Sequence, residues 1–175
     1  MFIQGIKHLH NSSIRCHGWL NSRNCVIDSR WILKITDFGL DQFYHCQSIK
    51  RYKNIDNLLW IAPEILRNII VRHENFEIDE PLGTQKGDAY SFAIIIQELI
   101  IGGKPFGYNN DLTTFDIVKK LRESSNVAIF RPEVPLNNGP DEVYRLMKHC
   151  WCEIPNLRPT FGEIEQQVKK FNDGR

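Results

Sequence analysis

The stretch HGWLNSRNC, residues 17–25, decides the fold. In this stretch Leu20 lies three positions after His17, and Asn24 lies seven positions after it. Residues 25–35 follow at once, and their short apolar runs about a polar turn at 28–30 predict a β-hairpin. The hairpin leads into the tripeptide DFG at 37–39, which alone means little, because a given triplet arises at roughly one in 8,000 positions.

Beyond the hairpin, apolar residues recur mainly at helical spacing. The pattern predicts a first helix ending near His10, a short helix after Pro63, a central helix from Asp88 that is apolar on every side, and amphipathic helices over residues 111–123, from 140 and from 160. Thr160 and Glu163 predict a capping box for the last helix. Residues 41–61 and 73–87 are predicted loops. The fold class is therefore mainly α with one small β-hairpin.

Composition excludes several classes of protein. With 42% hydrophobic and 25% charged residues the chain is predicted to be ordered. The net charge of +1 gives no argument for nucleic acid as a partner. Five cysteines without a CxxC spacing argue against a zinc ribbon or a disulfide framework and favour a reducing compartment. We expect no signal peptide, and the apolar run at 89–101 is too short for a membrane span.

The order of the motifs gives the sequence its family resemblance. The 17–25 loop, Asp37-Phe38-Gly39, Ala62-Pro63-Glu64, Asp88 at the head of the buried helix and Arg158 before the last helix resemble the C-terminal lobe of a protein kinase. The resemblance covers residues 1–175 as a single partial domain whose N-terminal lobe is absent. It implies a catalytic-loop region at 15–25, an activation segment at 37–64 and a helical subdomain at 88–171.

More narrowly, the chain resembles the kinase-homology domain of membrane receptor guanylate cyclases of the natriuretic-peptide-receptor type. The segments that carry this are SSIRCHGWLNSRNCVIDSRWILKITDFGL, LLWIAPEIL, GDAYSFAIIIQEL, FRPEVP and CWCEIPNLRPTFGEIEQQVKKF. The resemblance implies a cytoplasmic segment of a dimeric plasma-membrane receptor, with the missing N-terminal lobe and a downstream cyclase domain as partners on the same polypeptide. Mg-ATP would be a regulatory ligand of the complete domain, and none is expected for this fragment alone.

Two positions in the loop depart from the chemistry of a kinase. Trp19 stands where the catalytic Asp belongs, and an indole offers an N–H donor but no carboxylate. Loss of a positioned base typically costs about 10²- to 10⁴-fold in rate. Gly18 replaces the Arg that would hold a phosphorylated activation segment, where Tyr44, Ser48 and Tyr52 lie. We therefore predict a pseudokinase without catalytic residues.

Asn24 and Asp37 match the two positions that hold Mg²⁺ beside ATP in kinases. The alternative is that both are structural, with Asp37 capping backbone groups in its loop and Asn24 bridging the hairpin.

The resemblance assigns the other motif residues to the scaffold. Glu64 would pair with Arg158, Asp88 would anchor the backbone of the catalytic loop, and His17 would sit on Phe38, next to Gly39. A plain helix N-cap is the alternative for Asp88.

Two other functions stay open from the sequence. One is an active protein kinase of the tyrosine-kinase-like group with an atypical loop. The other is a stand-alone interaction scaffold.

Overall fold

The computed structural model describes residues 2–40, 43, 46–47, 53–72, 75–77, 83–107, 111–125, 127–135 and 138–173. The α-helices within these residues include Phe2–Asn11 (α1), Pro63–Leu66 (α2), Gln85–Ile101 (α3), Thr114–Glu123 (α4), Asp141–Cys150 (α5) and Phe161–Asp173 (α6). Short 3₁₀ helices span Ser22–Asn24, Ile55–Trp60 and Pro155–Leu157. The predicted mainly helical fold is confirmed.

The predicted hairpin is present and follows the 17–25 loop directly. Its strands are Cys25–Ile27 (β1) and Leu33–Ile35 (β2), paired antiparallel with Cys25 opposite Ile35. The Asp28 carboxylate closes the turn by accepting hydrogen bonds from the backbone N–H groups of Arg30 at 2.9 Å and Ile32 at 3.0 Å. An Asp that bonds its own turn in this way is a common local cause of a tight reversal.

A second small sheet was not predicted. Its strands are Lys53–Asn54 (β3), Ile70–Arg72 (β4) and Asn75–Glu77 (β5), in the antiparallel order β3-β5-β4. The prediction that residues 41–61 and 73–87 are loops is therefore wrong at β3 and β5, while β4 lies between the two ranges. β3 and β5 are mostly polar and lack an apolar run of the kind that predicted the hairpin.

Helix α3 lies at the centre of the molecule, as its uniformly apolar sequence predicts. Ala89, Tyr90, Ala93 and Ile94 are fully buried, and α3 packs against α5. The helix begins earlier than predicted because Thr84 caps it, its hydroxyl accepting a hydrogen bond from Gly87 N–H at 2.8 Å.

The two terminal helices of the chain are in contact. Helix α1 packs against α6, and Phe2 stacks on Phe92 of α3 at 5.3 Å between ring centroids. The predicted capping box of α6 is confirmed, with Thr160 N–H donating to Glu163 at 2.7 Å and Glu163 N–H to the Thr160 hydroxyl at 3.3 Å. Among the described helices, none has the length and apolar character that crossing a bilayer requires.

Candidate functional site

Asp88 fixes the backbone of the 17–25 loop from the first turn of α3. Its carboxylate is 1% exposed and accepts hydrogen bonds from the backbone N–H groups of His17 at 2.7 Å and Gly18 at 3.0 Å. His10, at the end of α1, contacts the same carboxylate through Nε2 at 2.8 Å. The anchoring role that the resemblance implied for Asp88 matches this geometry. The alternative of a plain N-cap does not, because Thr84 occupies that position.

Gly18 adopts a backbone conformation that favours glycine. Its φ is +79°, in the left-handed region where a side chain is strained. Gly83 also approaches closely, since a Cβ added to Gly83 would lie 2.6 Å from the Gly18 Cα. The loop is therefore shaped for glycine at position 18, where a kinase of the usual pattern carries Arg.

Trp19 belongs to the hydrophobic core. The residue is 8% exposed and clusters with Leu20 and the buried face of α3. Its carbonyl accepts hydrogen bonds from the side-chain amides of Asn21 at 3.0 Å and Asn24 at 2.9 Å. The position at which a kinase presents a carboxylate to its substrate is thus filled by a packed indole, which cannot accept a proton from a hydroxyl group.

Asn24 and Asp37 are brought to the same end of the hairpin. The Asn24 carbonyl accepts a hydrogen bond from Thr36 N–H at 3.0 Å, and Asp37 follows with a left-handed φ of +64°. The side-chain amide N–H of Asn24 donates a hydrogen bond to the Trp19 carbonyl, and the side-chain oxygen of Asn24 could act as a ligand of a cation. Carboxylate and amide oxygens suit Mg²⁺, which usually takes one or two protein ligands and completes its shell with phosphates and water. The chemistry of these two side chains therefore fits the predicted role of holding the magnesium of Mg-ATP.

Asp37 and Asn24 do not form a protein-only metal site. Among the described residues, no group of three or more His, Cys, Asp or Glu side chains could hold a metal ion. A magnesium ion held by Asn24 and Asp37 would complete its shell with phosphates or water.

The placement of His17 against Phe38 was predicted from the resemblance, and the structure gives His17 other contacts. Its Nε2 lies 2.9 Å from the Thr36 carbonyl, while its Nδ1 lies 3.4 Å from Trp19 N–H. Phe38 is 43% exposed, and the ring contacts of the described residues do not join it to His17. The placement of His17 against Phe38 therefore stays a prediction. Gly39 follows with φ +73°, as a glycine permits.

Several apolar side chains of the hairpin and the DFG tripeptide are exposed: Val26 at 47%, Ile27 at 56%, Trp31 at 85% and Phe38 at 43%. Val26 and Ile27 are neighbours on β1, so their side chains point to opposite faces of the hairpin. Single exposed apolar residues of this kind are ordinary on a protein surface.

Glu64 and Arg158 form the predicted ion pair. Two parallel bonds join the guanidinium to the carboxylate, at 2.7 and 2.8 Å, with the Arg158 side chain fully buried and that of Glu64 25% exposed. Arg158 also donates to the Cys152 carbonyl at 2.7 Å and lies over the Tyr90 ring at 5.2 Å. The pair ties α2 to the segment that precedes α6.

Two carboxylates, the buried Glu153 and the half-buried Glu98, were not singled out from the sequence. Burial raises the pKa of Glu153, but hydrogen bonds from Arg131 and Arg67 outweigh it and hold that pKa below its usual range. Burial raises the pKa of Glu98, which accepts hydrogen bonds from Trp60 at 2.8 Å and Ser22 at 3.0 Å. The ionic contacts of Glu153 join segments far apart in sequence, so no local pattern signals them.

Tyr90 lies between two guanidinium groups. Arg131 and Arg158 sit over its ring at 5.3 and 5.2 Å, and burial raises the pKa of its hydroxyl to about 12. The hydroxyl is thus neutral, and the contacts are those of cations with an aromatic face. Tyr44, Ser48 and Tyr52 of the expected activation segment lie outside the described residues.

A lobe with this loop, hairpin, DFG tripeptide and Glu64–Arg158 pair is kinase-like. The pattern of the protein tyrosine and serine/threonine kinase family matches residues 2–168, so the chain belongs to that family.

The relatives identify a narrower group to which the chain is similar. It is 41% identical over 174 residues to retinal guanylyl cyclase 2 of Homo sapiens, covering 99% of this chain and 15% of that protein. It is 42% identical over 172 residues to atrial natriuretic peptide receptor 2 of Anguilla japonica, covering 97% of this chain and 16% of the receptor. The receptor-type guanylate cyclase Gyc76C of Drosophila melanogaster is 41% identical over 182 residues, 99% of this chain and 11% of its own length. The chain thus spans less than a fifth of these relatives.

Proposed function

We propose that this chain is the kinase-homology segment of a receptor guanylyl cyclase and that it regulates cyclic GMP synthesis without transferring phosphate. The observation that carries the proposal is the buried indole of Trp19 at the position of the base, with Asn24 and Asp37 retained at one end of the hairpin. Similarity to receptor guanylyl cyclases over nearly the whole chain supports the choice of parent. In that parent the segment would lie on the cytoplasmic side of the plasma membrane, within a dimer.

The proposed ligand of the complete domain is Mg-ATP. An upstream lobe would cover exposed apolar side chains of the hairpin and supply the other half of the nucleotide cleft, with Asp37 and Asn24 holding the metal. Closure of the two lobes on nucleotide would bias the helix that continues beyond Phe171 toward the cyclase domain. A ligand shifts such an equilibrium only by its differential affinity for the two states, so the coupling is expected to be about 1 to 3 kcal/mol.

The test uses the two-lobed domain and the full receptor. Calorimetry should detect Mg²⁺-dependent ATP binding to the two-lobed domain, weakened by Asp37→Ala and absent from the 175-residue chain. Non-hydrolysable ATP should raise the cyclase activity of the full receptor. If the two-lobed domain fails to bind nucleotide and the receptor is indifferent to it, the domain is a scaffold.

Phosphotransfer provides the second arm of the test. The two-lobed domain should not phosphorylate protein substrates or itself. Transfer by the unmodified domain that Asp37→Ala abolishes would instead establish an active kinase with an atypical loop, and the regulatory proposal would fall.

A further inference from the structure

A groove with cationic walls lies between α2 and α4, on a part of the molecule that the proposed function does not use. We call it the basic groove, and its volume is about 380 Å³. The residues that line it are Arg67, Phe115, Val118, Lys119, Arg122 and Glu123.

The frame of the basic groove is held by bonds within the molecule. Arg67 donates from Nε to the Arg122 carbonyl at 3.1 Å and from its terminal nitrogen to the Ser124 carbonyl at 2.5 Å, which satisfies carbonyls at the end of α4. It also pairs with the buried Glu153. Val118, at 2% exposure, forms the floor. The groove therefore exists before any partner arrives, and binding would not have to order it.

One wall of the basic groove carries an exposed aromatic ring. Helix α4 buries Ile117, Val118 and Leu121 in the core, whereas Phe115 is 48% exposed. Lys119 follows Phe115 by four residues, so the two side chains are neighbours along the helix surface. Aromatic residues and Arg are enriched where proteins bind other proteins.

The charge of the basic groove is a local property. The whole chain carries 22 Lys and Arg against 21 Asp and Glu, but the groove has three cations and one carboxylate. Glu153 already neutralises Arg67, while Lys119 and Arg122 form no ion pair within the described part of the chain. Two cations and one aromatic ring are thus left for a partner.

We propose that the basic groove docks an acidic peptide segment of a partner protein, with an apolar side chain of that segment against Phe115 and its carboxylates beside Lys119 and Arg122. Complementary charge of this kind increases the rate of encounter and fixes the register of the segment. The apolar contact with Phe115 supplies the part of the affinity that salt does not screen.

The experiment measures binding of a defined probe to the 175-residue chain by fluorescence anisotropy. The probe is a short fluorescein-labelled helical peptide of Glu and Leu with one central Phe, and the comparison peptide replaces every Glu by Lys. The acidic probe should bind, more weakly as salt is added, and the basic one should not. Lys119→Glu and Arg122→Glu should each weaken binding about fivefold, and Phe115→Ser should weaken it about tenfold.

Two control variants change residues outside the basic groove. Lys148→Glu on α5 and Leu99→Ser on α3 change an exposed cation and an exposed apolar residue elsewhere and should leave binding unchanged. Equal losses in groove and control variants would overturn the proposal. So would binding of phosphatidylserine vesicles in place of the peptide, or self-association of the chain that Phe115→Ser abolishes, since the occupant would then be a membrane or a second copy. Lys119 is an exposed residue of its helix, so Lys119→Glu reports on docking even if another variant unfolds.

Discussion

Breaking the Glu64–Arg158 pair should strongly destabilise the lobe. Glu64→Gln keeps the shape of the side chain and removes its charge, leaving the fully buried Arg158 guanidinium without a counterion. Removing one partner of a buried pair typically costs about 3 to 5 kcal/mol. Arg158 keeps the carbonyls of Cys152 at 2.7 Å and Lys86 at 3.0 Å as acceptors, so we expect the lower end, about 3 kcal/mol.

The assay is urea unfolding of the parent, Glu64→Gln, Arg158→Met and the double variant. Each single change should lower the free energy of unfolding by about 3 kcal/mol and the double change by about 4 kcal/mol, which gives a coupling energy of about 2 kcal/mol. The slope of the unfolding free energy with urea should stay constant if only stability changes. The reference is Lys7→Met, which breaks an ion pair whose lysine is 45% exposed and should cost at most about 1 kcal/mol.

If the effects of Glu64→Gln and Arg158→Met add within about 0.5 kcal/mol, the Glu64–Arg158 pair does not stabilise the lobe as a unit. Additivity would mean that the two side chains stabilise the lobe independently, through their other contacts. A cost for Glu64→Gln no larger than that of Lys7→Met would refute the prediction as well, because the burial of Arg158 would then carry no penalty.

Two further predictions concern packing and pH. Gly83→Ala should lower the stability of the lobe by about 1 to 3 kcal/mol, because its Cβ would meet the Gly18 backbone at 2.6 Å. Gly162→Ala inside α6 has room for a Cβ and should be neutral or stabilising, and thermal melts of the two variants make the comparison. The pKa of Glu153 is lowered in the folded state, so its contribution is present above its ordinary pKa near 4.5 and is lost as the pH falls through the lowered value. Glu153→Gln should therefore flatten the acid side of the stability profile, and an unchanged slope below pH 4.5 would show that Arg131 and Arg67 do not stabilise the charged form.

The parts of the fold that could be predicted are those with a local cause. The hairpin follows from apolar runs about a turn whose Asp28 bonds its own backbone, and α3 from a run that is apolar on every side. The start of α3 was placed too late because the prediction relied on where apolar residues begin. Thr84 sets the boundary by accepting a single hydrogen bond from Gly87 N–H, and it lies five positions before the apolar run begins at Ala89.

Some contacts of the candidate site could be predicted from the sequence and others could not. The resemblance placed Asp88 under the loop and Glu64 against Arg158, because motif residues keep their spatial relations along the chain. Glu153 was missed since its partners, Arg131 and Arg67, come from segments 22 and 86 residues away. Contacts at such separations depend on how helices pack, and a single sequence carries no periodic signal for them.

The loop at residues 17–25 is held by groups that do not depend on a catalytic carboxylate. Asp88 bonds its backbone N–H groups, and Asn24 bonds the Trp19 carbonyl. The Trp19 indole is packed in the core, where loss of a large aromatic side chain costs about 3 to 5 kcal/mol. Trp19→Asp would incur that loss and place a carboxylate among apolar neighbours, and Gly18→Arg would put a side chain on a residue with φ +79°. The indole of Trp19 and the glycine at position 18 are thus part of how this loop and core pack.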